Sequence, residues 1–175
     1  MKIKYVKGDV TEADATIIAH GCNAQGVMGS GVAKIIREKY PEAYDAYRNM
    51  YYQGGLELGN VIIAQSNGKR IANCITQEFF GTDRRHADYD AIRTVMRTLD
   101  VRALGGTVAM PLIGAGLAGG DWKVISKIIE ESFKNSQPVV YVFDKEHEYL
   151  LEDKGSISNY FTNLFGDFGM DNNDW

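Results

Sequence analysis

Two glycine-rich segments, each lying between an apolar run and a helical stretch, constrain the fold of this chain most. The first loop, residues 26–31, precedes a helical stretch at 32–40. The second loop, residues 114–120, follows the apolar residues 107–113 and precedes a helical stretch at 122–133. A strand that turns through glycine into a helix leaves unpaired backbone amides and the positive helix end at one point. Because glycine lets the backbone approach an anion closely, two such loops predict a ligand that carries two phosphates.

Segments typical of strands and of helices alternate along the chain. Strands are predicted at residues 2–7, 15–22, 60–65, 70–77, 107–113 and 139–143, and helices at 32–40, 42–52, 87–104 and 122–133. Asn67 and Gly68 separate the third and fourth strands, and this pair is typical of a two-residue β-hairpin turn. The alternation predicts the α/β class, as a three-layer α/β/α sandwich with a mixed central sheet.

Length and charge limit the possible functions. The 175 residues predict one domain over residues 1–150, followed by an aromatic and acidic tail, residues 151–175. We expect this tail to pack on the domain, with a partner-binding tail as the alternative. The formal net charge of −4 argues against a broad nucleic-acid surface and against capture by an acidic membrane.

The number and spacing of cysteines and histidines limit which kinds of protein and metal site are possible. Two cysteines are too few for a disulfide framework, and no apolar run reaches membrane-spanning length. The cysteines and histidines do not have the spacing of zinc ligands. We therefore expect a cytoplasmic protein with no membrane partner, no metal and no cofactor.

The second loop also matches the dinucleotide-binding pattern G-x-G-x-x-G. Its glycines are Gly114, Gly116 and Gly119, and Asp144 ends the next strand, where an NAD-dependent dehydrogenase would have a ribose-binding acid. However, one strand follows this pattern, whereas the fingerprint normally opens the first βαβ unit. The first loop is not a Walker A motif, because Val32 stands where that motif requires lysine.

Four segments occur in a specific order along the chain. They are GDVT at residues 8–11, IIAHGCNA at 17–24 followed by MGSGVA at 28–33, PLIGAGL at 111–117 and VYVFD at 140–144. This series resembles the macrodomain superfamily of ADP-ribose-binding modules, over about residues 1–150. The His-x-Cys-Asn sequence before the first loop and the Tyr-Pro-Glu-Ala sequence after its helix are most similar to one branch. That branch contains the ADP-ribose 1″-phosphate phosphatases and the terminal ADP-ribose glycohydrolases.

The resemblance implies which residues bind the ligand, ADP-ribose or its 1″-phosphate. Asp9 would accept a hydrogen bond from the adenine amino group, with Val10 beside it, since an ionised carboxylate only accepts. Phe143 would lie against adenine. The first loop would surround the distal ribose and one phosphate, and the second would hold the pyrophosphate. The loop residues implied are Gly29, Ser30, Gly31, Val32, Ile113, Gly114, Ala115, Gly116 and Leu117. From the residues alone, Asp9 is also a common turn residue and Phe143 is equally a buried aromatic.

The resemblance also implies hydrolysis of ADP-ribose 1″-phosphate to ADP-ribose and phosphate. His20 is expected to titrate near neutral pH and to transfer a proton. Asn23 would bond a ribose hydroxyl or orient water. Asp121 would orient His20 or activate water at a helix N-terminus. From the residues alone, His20 is equally a buried histidine satisfied by the backbone, and Asp121 an N-cap.

Other members of that branch differ from this chain at two positions. The glycohydrolases use a lysine after the hairpin strand and an aspartate in the second loop, where this chain has Gln77 and Ala118. This difference disfavours lysine-dependent removal of ADP-ribose from protein glutamate. The alternatives are an ADP-ribosyl hydrolase acting on modified macromolecules and a non-enzymatic ADP-ribose reader. Residues 84–86, Arg-Arg-His, are expected to form a basic turn near the cleft.

Overall fold

The computed structural model describes residues 1–152, so the predictions for the tail lie outside the described residues except at positions 151 and 152. The strands are β1 (Lys4–Lys7), β2 (Ile17–Asn23), β3 (Val61–Ser66), β4 (Lys69–Gln77), β5 (Thr107–Met110) and β6 (Gln137–Val142). The helices are α1 (Gly31–Lys39), α2 (Pro41–Tyr52), α3 (Tyr89–Arg102) and α4 (Trp122–Ser132), with 3-10 turns at Val10–Glu12 and Lys145–Leu151. Among the described residues, no helix combines the length and the apolar character needed to cross a membrane.

The strands form one sheet in the order β1-β6-β5-β2-β4-β3. Neighbouring strands are parallel except β3 and β4, which are antiparallel. Helices α1 and α2 pack on one face of the sheet, and α3 and α4 pack on the other. The predicted three-layer sandwich with a mixed sheet is therefore confirmed. Because parallel strands end at the same edge, the segments that follow β1, β6, β5, β2 and β4 meet there.

Strand β2 separates two apolar cores. Ile17 and Ala19 pack beneath α3 and α4, whereas Ile18 packs beneath α1 and α2. Successive side chains of a strand point to opposite faces, so His20 lies on the face of Ile18. Burial on both faces explains why the sequence here is a nearly unbroken apolar run.

The predicted turn and helix break are both confirmed. Asn67 and Gly68 have φ values of +47° and +75°, the left-handed conformations that a type I′ hairpin turn requires. Helix α1 ends at Lys39 and α2 begins at Pro41, where the missing amide of proline costs no helical hydrogen bond.

Most element boundaries differ from the predictions by one to three residues, and two of these differences have a clear physical cause. Strand β5 ends at Met110 rather than at residue 113, because Pro111 has no amide for the ladder and the amide of Ile113 donates to the Pro111 carbonyl at 2.7 Å. Helix α3 begins at Tyr89 rather than at residue 87, because the Asp88 side chain caps its first turn.

Candidate functional site

The first and second loops lie next to each other at one edge of the sheet. Ile18 of β2 pairs in parallel with Ala109 of β5, so both loops leave neighbouring strands at their carboxyl ends. A Cβ built on Gly31 would lie 3.9 Å from Cδ1 of Leu117, which is ordinary van der Waals contact. The two glycine turns are therefore close enough to contact one ligand.

Asn23, the last residue of β2, holds the start of the first loop. Its Nδ2 donates to the Val27 carbonyl at 2.8 Å, and its Oδ1 accepts from the Gln25 amide at 3.0 Å and from the Tyr47 hydroxyl at 3.0 Å. The side chain is buried. One Nδ2 hydrogen therefore remains for the predicted bond to a ribose hydroxyl or to water.

Helix α2 supports the first loop from below. The Tyr47 hydroxyl donates to the carbonyl of Asn23 at 2.6 Å, and Arg48 Nη1 donates to the carbonyl of Gly26 at 2.7 Å. Burial raises the pKa of Tyr47, so its hydroxyl remains a donor at neutral pH. Gly26 has a φ of +75°, and a Cβ there would lie 2.7 Å from the Tyr51 ring. Glycine is therefore required where the loop crosses this helix.

Beyond this supported part, the first loop presents free amides. Gly29, Ser30 and Gly31 are exposed and Val32 is half-buried. In the part of the chain that the structure describes, the amides of these four residues donate to no protein acceptor. Gly31 begins α1, so the positive end of the helix dipole adds to these amides. The arrangement suits an anion such as a phosphate.

The second loop is shaped by its own glycines. Gly114 has a φ of +79°, and a Cβ there would lie 2.9 Å from Cδ1 of Ile92 in α3. The amide of Gly120 donates to the carbonyl of Gly114 at 2.8 Å and closes the loop. Gly116 and Leu117 are exposed, and among residues 1–152 neither their amides nor that of Gly114 donates to a protein acceptor.

Two of the residues implied in the second loop are oriented differently. The Ile113 side chain is buried in the core, and its amide donates to the Pro111 carbonyl. The amide of Ala115 donates to the carbonyl of Leu112 at 3.1 Å. Because both amides are already paired, they are not available to a phosphate.

Asp9 follows β1 and caps the 3-10 turn at Val10–Glu12. Its Oδ1 accepts from the amide of Thr11 at 2.9 Å and from the hydroxyl of Thr11 at 2.7 Å, while its Oδ2 lies 3.6 Å from Nζ of Lys39. Burial opposes ionisation, but the Thr11 hydrogen bonds and Lys39 together hold the pKa of Asp9 below its ordinary value. Val10 beside it is buried. Asp9 is thus both a turn residue and a partly exposed, ionised acceptor.

Phe143 lies just past the end of β6 and is 75% exposed. The interpretation of Phe143 as one more buried aromatic is therefore wrong. Because β6 neighbours β1, this ring lies on the strand next to the one that Asp9 follows. An exposed ring beside an acceptor can contact a flat heterocycle with an amino group.

The sheet order sets the order of these groups along the edge. Asp9 follows β1, Phe143 follows β6, the second loop follows β5, and the first loop follows β2. Neighbouring strands are about 4.8 Å apart, so three spacings separate β1 from β2 by about 14 Å. The edge can therefore bind an extended ligand that has an amino donor at one end and anionic groups farther along.

His20 does not have the properties that its proposed catalytic role needs. It is 1% exposed, and its Nε2 lies 2.7 Å from Oδ1 of Asn73, whose Nδ2 donates to the Ala43 carbonyl in α2 at 3.0 Å. Burial lowers the pKa of His20 to about 4, against a smaller opposing effect of the Asn73 hydrogen bond. The expectation that His20 titrates near neutral pH is therefore wrong, and Asn73 rather than the backbone satisfies the ring.

Asp121 is the N-cap of α4. Its Oδ1 accepts from the amide of Lys123 at 2.9 Å, and its own amide donates to the Tyr89 hydroxyl at 3.0 Å. His20 instead contacts Asn73 and faces α2, on the other side of the sheet from α4. The expectation that Asp121 orients His20 is therefore wrong, whereas its N-cap interpretation is confirmed.

Residues 78–88 connect β4 to α3 and form a third loop that contacts both glycine loops. The Gln25 side chain, just before the first loop, donates to the Glu78 carbonyl at 3.1 Å. The His86 amide donates to the Ala118 carbonyl of the second loop at 2.8 Å. The predicted basic turn at residues 84–86 thus lies beside the cleft. Among residues 1–152, no group of three or more His, Cys, Asp or Glu side chains could hold a metal ion.

The supporting residues Lys39, Tyr47 and Arg48 were missed by sequence reasoning. Each contacts a group between 22 and 30 residues away in the chain, because α1 and α2 fold back under the edge of the sheet. No local motif marks them. Knowledge of which helix face packs beneath the first loop could have indicated Tyr47 and Arg48.

Comparisons with known proteins agree with this geometry. A family model described as Macro domain matches residues 19–129. An ADP-ribose 1″-phosphate phosphatase of Candida albicans is 30% identical over 155 residues, covering 80% of this chain and 99% of that protein. A DNA ADP-ribosyl glycohydrolase of Mycobacterium tuberculosis is 29% identical over 140 residues and 75% of this chain, which spans 39% of that longer protein. Among solved structures, the macrodomain of Mycobacterium tuberculosis DarG superimposes with a TM-score of 0.71 at 25% identity, covering 81% of this chain and 98% of that one.

Proposed function

This chain belongs to the macrodomain family, and from that membership we propose that it binds ADP-ribose and hydrolyses ADP-ribose 1″-phosphate to ADP-ribose and phosphate. The observation that carries the binding proposal is the closeness of the two glycine loops, since the Leu117 side chain lies 3.9 Å from where a Cβ on Gly31 would be. Free amides on both loops can bond one diphosphate from two sides. With a net charge of −4, the affinity must come from these local donors rather than from a general positive field.

The order of groups along the sheet edge gives the ligand a direction. Asp9 accepts a hydrogen bond from the adenine amino group, and the exposed Phe143 ring lies against the base. The buried Val10 packs beside Asp9 beneath the base. The diphosphate crosses from the second loop to the first. The amides available to it are those of Gly114, Gly116, Leu117, Gly29, Ser30, Gly31 and Val32. The distal ribose and its 1″-phosphate then lie towards β4 and the third loop.

In the proposed reaction, water attacks phosphorus and the bond from phosphorus to the ribose 1″-oxygen breaks. One proton of the water ends on that oxygen, which leaves as the 1″-hydroxyl of ADP-ribose, and the water oxygen stays on the released phosphate. Those first-loop amides that the diphosphate does not use stabilise the negative charge that develops on the phosphoryl oxygens. Asp121 is the candidate acceptor for a proton of the attacking water, since its Oδ1 caps α4 and, within residues 1–152, its Oδ2 has no protein donor. Asn23 orients the ribose through its remaining Nδ2 hydrogen. His20 is buried and neutral, and it packs beneath the first loop.

An Asp121→Asn variant tests the catalytic assignment without removing the cap. Asparagine caps a helix as well as aspartate does, so we expect an unchanged melting temperature and unchanged ADP-ribose affinity. Phosphate release from ADP-ribose 1″-phosphate should fall roughly 100-fold, because the carboxylate base is lost. The matched variant His20→Gln should keep turnover within a factor of about ten, which is less than the roughly 100-fold that loss of a proton-transfer group costs at the least. Full turnover in Asp121→Asn would remove Asp121 from the mechanism.

A non-enzymatic ADP-ribose module is the second candidate function. It is favoured by the hydrogen bonds that already use His20 Nε2 and Asn23 Oδ1 inside the protein. Two measurements distinguish the two functions. Calorimetric titration with ADP-ribose tests binding, and phosphate release at saturating substrate tests turnover. Binding without release above the uncatalysed rate would favour the module, and absence of binding would overturn both.

Lysine-dependent removal of ADP-ribose from protein glutamate is not part of the proposed function. Gln77 stands at the position where the related glycohydrolases use a lysine. Its Nε2 donates a hydrogen bond to the Phe79 carbonyl at 2.6 Å. A carboxamide does not titrate and cannot replace an amine in that chemistry. Retention of label on a protein that carries ADP-ribose on glutamate is therefore the expected result.

A further inference from the structure

Helix α1 connects the two ends of the proposed cleft. It begins at Gly31, in the first loop, and its last residue, Lys39, contacts the turn that carries Asp9. A cation at this position also suits the negative end of the helix dipole. The same short helix therefore provides amides for the diphosphate and a charged side chain beside the acceptor for the base.

The contacts around Lys39 determine which oxygen of Asp9 is available. Lys39 Nζ donates to Oγ1 of Thr11 at 2.9 Å and also pairs with Glu12. Thr11 is fully buried, and its hydroxyl and amide donate to Oδ1 of Asp9 at 2.7 and 2.9 Å. Oδ2 forms an ion pair with Lys39 Nζ at 3.6 Å, longer than a normal hydrogen bond, and no other protein donor reaches it within residues 1–152.

The direction of these hydrogen bonds follows from the chemistry of the groups. An ammonium group can only donate, so Oγ1 of Thr11 must accept from Lys39. The single hydroxyl proton of Thr11 is then directed to Asp9, whose carboxylate can only accept. Without Lys39, the Thr11 hydroxyl could rotate and the carboxylate would lose one of the bonds that orient it. Lys39 thus acts on the cleft through Thr11 and Asp9.

We propose that Lys39 is a positioning residue that holds Oδ2 of Asp9 as the free acceptor, and thereby selects a base with an exocyclic amino donor over one with a carbonyl in that position. This inference rests on the proposed binding of ADP-ribose. A carbonyl oxygen placed against an ionised carboxylate is repelled, whereas an amino group donates to it. Glu12 pairs with Lys39, so the lysine orients Asp9 without cancelling the negative charge on which this discrimination depends.

The test compares two ligands and three variants by calorimetry. The ligands are ADP-ribose and its inosine analogue, in which a carbonyl replaces the amino group. We expect wild-type protein to favour ADP-ribose by about tenfold or more, because an amino group donates to the ionised carboxylate whereas a carbonyl oxygen is repelled by it. Lys39→Met should weaken ADP-ribose binding roughly fivefold and leave the inosine analogue within a factor of about two.

Two further variants separate positioning from general stability. Lys39→Arg keeps a cation at the end of α1 and should keep most of the preference for ADP-ribose. Glu12→Gln removes the other partner of Lys39 without touching Asp9 and should leave the preference unchanged. Equal loss of both ligands in Lys39→Met, or no change in either, would overturn the inference alone. Failure of wild-type protein to bind ADP-ribose would overturn the proposed function as well.

Discussion

The first and second loops present similar free amides but are held in place in different ways. The first loop depends on side chains from elsewhere, since Tyr47 and Arg48 of α2 bond the carbonyls of Asn23 and Gly26. The second loop is held by its own backbone, in which Gly120 bonds the carbonyl of Gly114, and by apolar contact with α3 and α4.

The groups beneath the two loops differ in polarity, so the loops should respond to different changes. The layer beneath the first loop contains polar groups that are buried and must stay paired, including His20 and Asn73. The layer beneath the second loop contains Ile92 and Ile125, which have no charge to change. We therefore expect protonation in acid and the loss of buried hydrogen bonds to disturb the first loop. Side-chain atoms added at a glycine should instead disturb the second loop.

The largest expected effect is a loss of stability in mild acid that depends on His20. Burial lowers its pKa in the folded protein to about 4, against about 6.5 when unfolded. As pH falls from 6.5 towards 4, the unfolded chain binds a proton that the folded protein does not, so folding becomes less favourable. The full contribution is roughly 3 kcal/mol, about 1.4 kcal/mol for each pKa unit. Urea denaturation between pH 4 and 7.5 measures it.

The variant His20→Gln provides the comparison, because glutamine can still donate to Asn73 and does not titrate. Burial opposes the ionisation of Asp100, but backbone hydrogen bonds hold its pKa below the ordinary value. The stability that such carboxylates contribute is lost at lower pH in both proteins. The difference between wild type and variant therefore isolates the histidine. Parallel stability curves from pH 7 to pH 4 would contradict a buried, neutral His20.

The fold was largely predictable from the sequence because its signals are local. Asn67 and Gly68 marked the hairpin, Pro41 marked the break between α1 and α2, and the glycines of both loops marked the strand ends. The same local signals located Asp9, at the end of the first strand. Such signals depend on a few neighbouring residues, so no tertiary information is needed to interpret them.

The chemistry of the site was less predictable because it depends on distant contacts. Whether His20 titrates is decided by burial beneath α2 and by Asn73, which is 53 residues away. The sequence shows that His20 lies in a predicted strand, but it does not show which helix covers the side chain. Likewise, Lys39 was not linked to Asp9, since only the folded path of α1 brings them within 3.6 Å.

In the second loop, Gly114→Ala should produce the next largest effect. The new Cβ would lie 2.9 Å from Ile92 and 3.1 Å from Ile125, at a φ of +79° that alanine rarely adopts. We expect about 2 kcal/mol of destabilisation from strain and overpacking. ADP-ribose affinity should fall about tenfold or more as the neighbouring amides move. Urea denaturation and calorimetry measure these two quantities.

Gly116→Ala is the matched control in the same loop. Within residues 1–152, a Cβ at residue 116 meets no atom within 4 Å apart from its chain neighbours, and its φ lies outside the left-handed region. We expect its stability to stay within about 0.5 kcal/mol of wild type. If Gly114→Ala were equally mild, the second loop would not owe its shape to glycine, and the contrast with the first loop would fail.

The smallest expected effect comes from Tyr47→Phe, which removes one hydroxyl beneath the first loop. The carbonyl of Asn23 then loses a 2.6 Å hydrogen bond in a buried position, a loss of about 1 kcal/mol in stability. Because the same hydroxyl also bonds Asn23 Oδ1, we expect ADP-ribose affinity to fall roughly threefold as the loop loosens. Tyr51→Phe is the control, since in residues 1–152 the Tyr51 hydroxyl bonds no protein group while its ring still packs on Gly26. Equal affinities for the two variants would mean that packing against α2, rather than the Tyr47 hydroxyl, holds the first loop in place.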